Sequence, residues 1–291
     1  MARIIVPEAE ALLDQEIPVL DKGFVRLVDY LGGDERIVQS ARVSYGSGTK
    51  SFRQDRGLIH YLLRNEHTSP FEQVILTFHC KMPVFVARQW VRHRTARLNE
   101  ISGRYSVMKD EFYVPDPEDV CIQSEDNKQG SGEPIPIDEA MAVIKQFESD
   151  YKLLYSHYEE QIDRGVAREL ARILLPLSLY TEWYWQIDLH NLFHFIRLRS
   201  DSHAQKQIRV FSDVLAQCAK AVAPLAYEAF EEHVQHAVRF SRSECVAMNH
   251  MLAGKEPVLE GRSKVIFEQK LARMSSLNPI EEPEAPIAPV P

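Results

Sequence analysis

The sequence predicts an α+β fold on three observations: a helical-period apolar stripe long enough for a core-facing helix, two-residue alternations that read as strands, and no regular alternation of strand with helix. A doubly wound parallel sheet needs that regular alternation, so a mixed or antiparallel central sheet flanked by helices is expected instead. The chain has 291 residues, 45% hydrophobic and 26% charged. At that length roughly three quarters of the unfolded surface can be buried, so neither disulfides nor a structural metal is required.

In chain order, the first strand signal is Leu76, Phe78 and Cys80 alternating with Thr77, His79 and Lys81, as in a half-buried strand. Pro83 then suits the first turn of a helix carrying Arg88, Gln89 and Arg92 and ending near Arg94. Residues 117–137 collect Gly, Pro, Ser and Asn and read as a surface loop or insertion. From Asp138 to Arg164, three- and four-residue steps place Ile144, Phe147, Tyr151, Leu154, Tyr158 and Ile162 on one stripe, with Asp138 as N-cap. Ala167 to Leu175 reads as a helix stopped by Pro176. Leu179 to Ile187 reads as an aromatic-rich strand, and Asp188 as the cap of a further helix. Residues 278–291 contain five prolines and three glutamates, too little apolar surface to pack, so a disordered Pro-rich tail is expected.

Cys80, Cys121, Cys218 and Cys245 are far apart and form no C-x-x-C pair, which argues against a disulfide framework or a cysteine-rich zinc site and for reduced core thiols. No window approaches the ~20 apolar residues of a membrane span, and the first residues lack a signal peptide's apolar run. The expectation is a cytoplasmic protein with no membrane partner.

Charge is concentrated in one place. Residues 88–104 hold Arg88, Arg92, Arg94, Arg97 and Arg104 against the single acid Glu100, in a chain of net charge -8. Guanidinium forks match phosphate and carboxylate oxygens, so this segment invites an anion. The overall acidity, with no extended Lys-rich stripe, disfavours capture of a nucleic acid; a small phosphorylated ligand fits better. Further arginines follow at Arg164, Arg168 and Arg172, then at Arg197 and Arg199. Tyr45 to Ser51 superficially suggests a phosphate loop, but Thr49 separates Gly48 from Lys50 and the motif spacing fails; no G-x-G-x-x-G is present. His190 and His194 lie four apart, as zinc ligands on a helix can, without H-E-x-x-H or a third ligand at motif spacing. From residues alone, a nucleotide-binding module without catalysis and a zinc hydrolase therefore both stay open.

Arg92 to Ser102, RHRTARLNEIS, carries the R-H-R-x7-S pattern, and the chain here resembles the flavin-dependent thymidylate synthases. Ala41-Arg42-Val43-Ser44 and His67-Thr68-Ser69-Pro70-Phe71-Glu72 upstream support the match, as do Arg104-Tyr105-Ser106, Ala171-Arg172-Ile173-Leu174-Leu175-Pro176 and Leu198-Arg199-Ser200-Asp201-Ser202-His203-Ala204-Gln205. The resemblance covers about residues 25 to 250. It implies one catalytic domain over 1–277, and a homotetramer with active sites between subunits. It further implies FAD as cofactor, and methylation of dUMP to dTMP with methylenetetrahydrofolate and NADPH.

The resemblance also implies site residues. Gln89, Arg92, Glu100, Ser102, Gly103, Arg104 and Arg172 would surround dUMP. Ser44, Ser69, Arg92, His93, Arg94, Glu100, Asp188, His190 and His194 would contact FAD, with His67 beside the flavin ring. Arg199 would be the main activating residue: a fixed cation beside the pyrimidine N3 and its carbonyl favours the ionised base and raises nucleophilicity at C5. No catalytic cysteine is then needed, and none of the four lies in an arginine-rich segment. Ser102 as a nucleophile is the alternative, but no adjacent base is evident. Arg97 stands where many members have a small polar residue, and Asp188 and His194 replace amides seen in some.

Overall fold

The structure, a computed structural model, describes residues 3–43, 52–125 and 130–276. Two compact units fall within Met1–Gln235 and His236–Pro291. The suggested phosphate loop, Ser44 and the Pro-rich tail lie outside the described residues.

The first unit is built on a five-stranded sheet of β1 (Glu16–Val19), β2 (Gly23–Leu31), β3 (Ile75–Pro83), β4 (Arg97–Glu100) and the late strand Tyr180–Asp188, in the order β1, β2, β3, late strand, β4. Every pairing in it is antiparallel, so the sheet is antiparallel rather than mixed. A separate hairpin pairs β5 (Cys121–Gln123) with β6 (Ser131–Pro134); the late strand is therefore β7. The expected loop at 117–137 thus contains a short hairpin, preceded by a 3-10 turn at Pro117–Asp119.

β3 and β7 are the centre of the sheet. Their nine residues pair in unbroken register from Ile75 opposite Asp188 to Pro83 opposite Tyr180. Leu76, Phe78, Cys80, Trp183, Trp185 and Ile187 are buried on one face, and the intervening Thr77, His79, Glu182, Tyr184 and Gln186 point the other way, as strand alternation demands. β4 pairs only with β7, and all four of its residues are exposed.

The helices, in chain order, are α1 (Pro7–Glu10), α2 (Asp34–Ala41), α3 (Phe52–Arg64), α4 (Val84–Trp90), α5 (Ile137–Asp163), α6 (Arg168–Ala171), α7 (Leu189–Arg199), α8 (Lys206–Val222) and α9 (Pro224–Phe230). Residues of α2, α3, α4, α7, α8 and α9 close over the apolar sheet face as one core. At its centre Trp90 meets Trp183, Trp185, Phe195 and Phe211 with ring centroids 5.4, 5.2, 4.9 and 5.9 Å away. Burial of apolar area on this scale is the main stabilising contribution. Asp34 accepts hydrogen bonds from the backbone N–H groups of Leu225 (2.8 Å) and Ala226 (3.0 Å), satisfying free donors at the start of α9.

Four expectations need correction. The helix after Pro83 stops at Trp90, so Arg92 and His93 lie in the turn beyond it; His93 N–H closes back on Trp90 O at 3.0 Å. Ala167–Leu175 is the four-residue α6 followed by a 3-10 turn, Arg172–Leu174, because Pro176 keeps the residue before it from continuing the α conformation. α5 starts from Pro136, with Asp138 in its first turn rather than capping. Its stripe covers a small second cluster of Met108, Phe112, Tyr158, Ala171 and Leu179, and Phe147 is 39% exposed. Cys80 and Cys218 are buried thiols as expected, but Cys121 is only partly buried and Cys245 is exposed.

The second unit contains α10 (Arg242–Leu252) and α11 (Gly261–Ser276). Ser241 and Glu244 form a capping box at the start of α10. Lys270 of α11 donates to both Glu244 carboxylate oxygens, at 2.8 and 2.7 Å, joining the two helices. Among the described residues, no helix is long and apolar enough to cross a membrane.

Candidate active site

The R-H-R segment sits where α4 has just ended against the aromatic core and the chain turns to reach the sheet edge. Its side chains meet the last turns of α7. Arg92, His93, Arg94, Thr95, Ile187, Asn191, His194, Leu198 and Arg199 line a cleft of about 320 Å³. A second cleft of about 460 Å³ is lined by Glu72, Gln73, Ile75, Thr95, Ala96, Arg97, Gln186, Ile187 and Asp188. The two share Thr95 and Ile187.

Asp188 positions the beginning of α7. Its carboxylate accepts from the Asn191 backbone N–H at 2.9 Å and from Asn191 Nδ2 at 3.0 and 2.8 Å, which caps the helix and turns the amide into part of the site wall. At the other end of α7, half-buried Arg199 donates from Nε to His93 Nε2 at 3.0 Å and from a terminal nitrogen to Gln89 O at 3.2 Å. His93 packs 4.7 Å from Phe195 and 5.8 Å from His194. Burial, then the Arg199 charge and His194, hold the His93 imidazole down at about 4, so it is neutral near pH 7. His194 is lowered by burial first, then by Arg197 and His190.

No described carboxylate forms an ion pair with Arg92, Arg94 or Arg97 among the described residues. Uncompensated guanidinium groups around a cleft suit a diphosphate or another small anion, so the donor set fits a flavin dinucleotide.

The remaining arginines assemble elsewhere along the chain. Past β4, the Ser102 hydroxyl accepts from the Arg104 backbone N–H at 3.3 Å, and Arg104 Nε reaches Glu169 at 3.2 Å. Gly103 is buried, and a Cβ there would lie 3.2 Å from Arg172 Cδ and 3.0 Å from Met108 Sδ, so the backbone passes directly over Arg172. α5 fixes this loop from below: Tyr158 OH accepts from Met108 N–H at 3.0 Å, and Tyr155 OH donates to Met108 O at 2.9 Å. Glu100 Oε1 accepts from the Thr181 hydroxyl at 2.6 Å. The four residues of β4 separate this group from the R-H-R cleft by about 10 Å of strand.

Not every expected residue joins these two groups. His67 is exposed, 5.9 Å from the Tyr61 ring at the end of α3, and Ser69 is exposed in the following turn. His190 is in the first turn of α7 but does not line either cleft. Among the described residues, no group of three or more His, Cys, Asp or Glu side chains is arranged to hold a metal. Sequence reasoning missed Asn191, whose spacing from the Asp188 cap was a usable signal. It also missed the side-chain chain from Gln89 to Gln205, Gln207 and Tyr113, which no local pattern announces.

Comparison with known proteins adds three findings. A family model described as thymidylate synthase complementing protein matches residues 26–225, and one described as thymidylate synthase ThyX C-terminal domain matches residues 238–277. The flavin-dependent thymidylate synthase of Treponema denticola is 59% identical over 260 residues, 89% of this chain and 98% of that protein. Its counterpart from Treponema pallidum is 54% identical over 272 residues, 93% of this chain and 89% of that protein. Among solved structures, a UMP/dUMP methylase, PolB, from Streptomyces cacaoi bound with 5-Br dUMP aligns with TM-score 0.69 and 31% identity, covering 75% of this chain and 99% of that one.

Proposed function

The chain belongs to the flavin-dependent thymidylate synthase family, and from that premise we propose that it converts dUMP to dTMP with FAD as cofactor, methylenetetrahydrofolate as one-carbon donor and NADPH as reductant. The observation that carries the reading is Arg199, a cation held by His93 and the Gln89 carbonyl in the lining of a cleft whose other arginines, Arg92 and Arg94, pair with no carboxylate among the described residues.

Arg199 activates the substrate in this proposal. A guanidinium beside the pyrimidine N3 and its carbonyl stabilises charge developing on the ring as C5 becomes nucleophilic, without a covalent enzyme adduct. Gln89, Arg92, Glu100, Ser102, Gly103, Arg104 and Arg172 bind dUMP, with Arg172 and the Ser102 to Arg104 loop on its phosphate. Arg92, His93, Arg94, Glu100, Asp188, His190, His194, Ser69 and, outside the described residues, Ser44 hold FAD, with His67 beside its ring. When bound, the flavin supplies the hydride that completes the methyl group. The side chains position the reactants, which is the other principal contribution.

The dUMP group beyond β4 and the R-H-R cleft lie at opposite ends of an exposed edge strand. That separation within one chain supports a homotetramer in which a neighbouring subunit completes each site. Tyr105 and Ile173, exposed by 77% and 76%, add apolar surface beside the dUMP group, consistent with burial at such a contact.

The test is anaerobic NADPH oxidation by purified, FAD-loaded protein with and without dUMP, followed by analysis for dTMP once methylenetetrahydrofolate is added. dUMP-stimulated oxidation and dTMP formation are expected. A colourless protein that binds no flavin and forms no dTMP would sink the proposal.

A further inference from the structure

A guanidinium at a helix end is attached through several freely rotating bonds, and leaving it to find its place costs rotamer entropy at every turnover. Arg199 is not left free. Two of its five N–H groups are committed to acceptors, His93 Nε2 at 3.0 Å and Gln89 O at 3.2 Å, both from the segment that ends α4. The His93 ring is itself wedged against Phe195 at 4.7 Å. We propose that His93 is a positioning residue for Arg199: as the neutral Nδ1–H tautomer it presents Nε2 as a fixed acceptor that aims the guanidinium into the cleft.

The choice of acceptor has an electrostatic consequence. A carboxylate in this place would hold the arginine equally well but would cancel much of its charge. An imidazole accepts the same hydrogen bond and leaves the cation's field available to the ligand. The ring must be unprotonated for this, and burial beside Arg199 keeps it so. This inference rests on the activating role of Arg199 proposed above.

Three variants separate the possibilities. His93→Gln keeps a neutral acceptor at nearly the same reach, His93→Leu removes it, and His93→Glu keeps an acceptor while adding negative charge. With FAD content measured and saturating, kcat for dTMP formation is expected to fall roughly 10- to 100-fold in His93→Leu, the scale of losing a hydrogen bond to a charged group. His93→Gln should recover to within about threefold of the unaltered enzyme, while His93→Glu stays low. On flavin-free protein labelled with 15N-histidine, the His93 signals should report protonated Nδ1 and unprotonated Nε2 at pH 7, and should shift in Arg199→Ala. A Nε2-protonated ring, or His93→Leu turnover equal to that of the unaltered enzyme, would overturn the inference, as would His93→Gln as impaired as His93→Leu. No dTMP from the unaltered, flavin-loaded enzyme would instead overturn the proposed function and this inference with it.

Discussion

Trp90 joins the core to the R-H-R turn, so replacing it tests both. Its ring is fully buried among Trp183, Trp185, Phe195 and Phe211, and Trp90→Ala should cost about 3–5 kcal/mol through lost transfer energy and the cavity left behind. At roughly 2–4 °C per kcal/mol for a unit of this size, that is a fall of about 6–20 °C in Tm. Trp90→Phe should behave differently. The missing part of the ring costs on the order of 1–2 kcal/mol. The indole Nε1, however, is buried without a hydrogen-bond partner among the described residues, and deleting an orphaned donor returns about 1–3 kcal/mol. The net change should lie between about 2 kcal/mol of stabilisation and about 1 kcal/mol of destabilisation. Urea unfolding followed by circular dichroism at fixed protein concentration measures both variants. If Trp90→Phe proves as damaging as Trp90→Ala, the orphaned-donor argument is wrong. A Trp90→Ala cost under about 1 kcal/mol would remove the aromatic cluster from the centre of the core.

Other substitutions read the site directly. Arg199→Ala should keep FAD but lose most dTMP formation, and near-normal turnover in a product assay would refute its activating role. Arg172→Ala should weaken dUMP binding by about 10- to 100-fold, as loss of a charge-assisted contact implies; calorimetry showing unchanged affinity would remove it from the phosphate site. Gly103→Ala forces Met108 or Arg172 aside and should weaken dUMP at least about fivefold by overpacking, a shift that the same titration would reveal. Burial pushes the Asp34 carboxyl up to about 6, against the pull of its two backbone donors. The folded state therefore holds a proton that the unfolded chain has released, and this stabilisation is lost as pH rises from about 4 through 6. Asp34→Asn should consequently gain on the unaltered protein as pH rises, by about 3 kcal/mol at pH 7 in urea unfolding; a difference independent of pH would disprove the assignment.

The parts of the fold that could be read from sequence are those decided within a few residues. Leu76, Phe78 and Cys80 alternate because one sheet face is buried, and Asp188 caps because its short carboxylate reaches Asn191 N–H. The end of α4 was not legible in that way. Arg92 continues the helical spacing, but the helix stops at Trp90, whose ring packs against aromatic rings from β7, α7 and α8, distant in sequence. α5 has the expected stripe; its partner surface comes from residues 108–112, 171 and 179, which periodicity cannot identify. For the site, the arginine concentration and the family pattern pointed to the R-H-R segment, which lines a cleft together with the last turns of α7. Thr95 and the Arg199 to His93 hydrogen bond needed the fold, since they depend on how α7 lies beside the R-H-R turn.

Thr95 and Ile187 face both clefts, and a common wall cannot yield to one occupant without changing the volume offered to the other. Any ligand that shifts it must alter its neighbour's affinity, and linkage makes the effect equal in both directions. Titrations of paired ligands on this protein therefore call for a thermodynamic square rather than two independent isotherms.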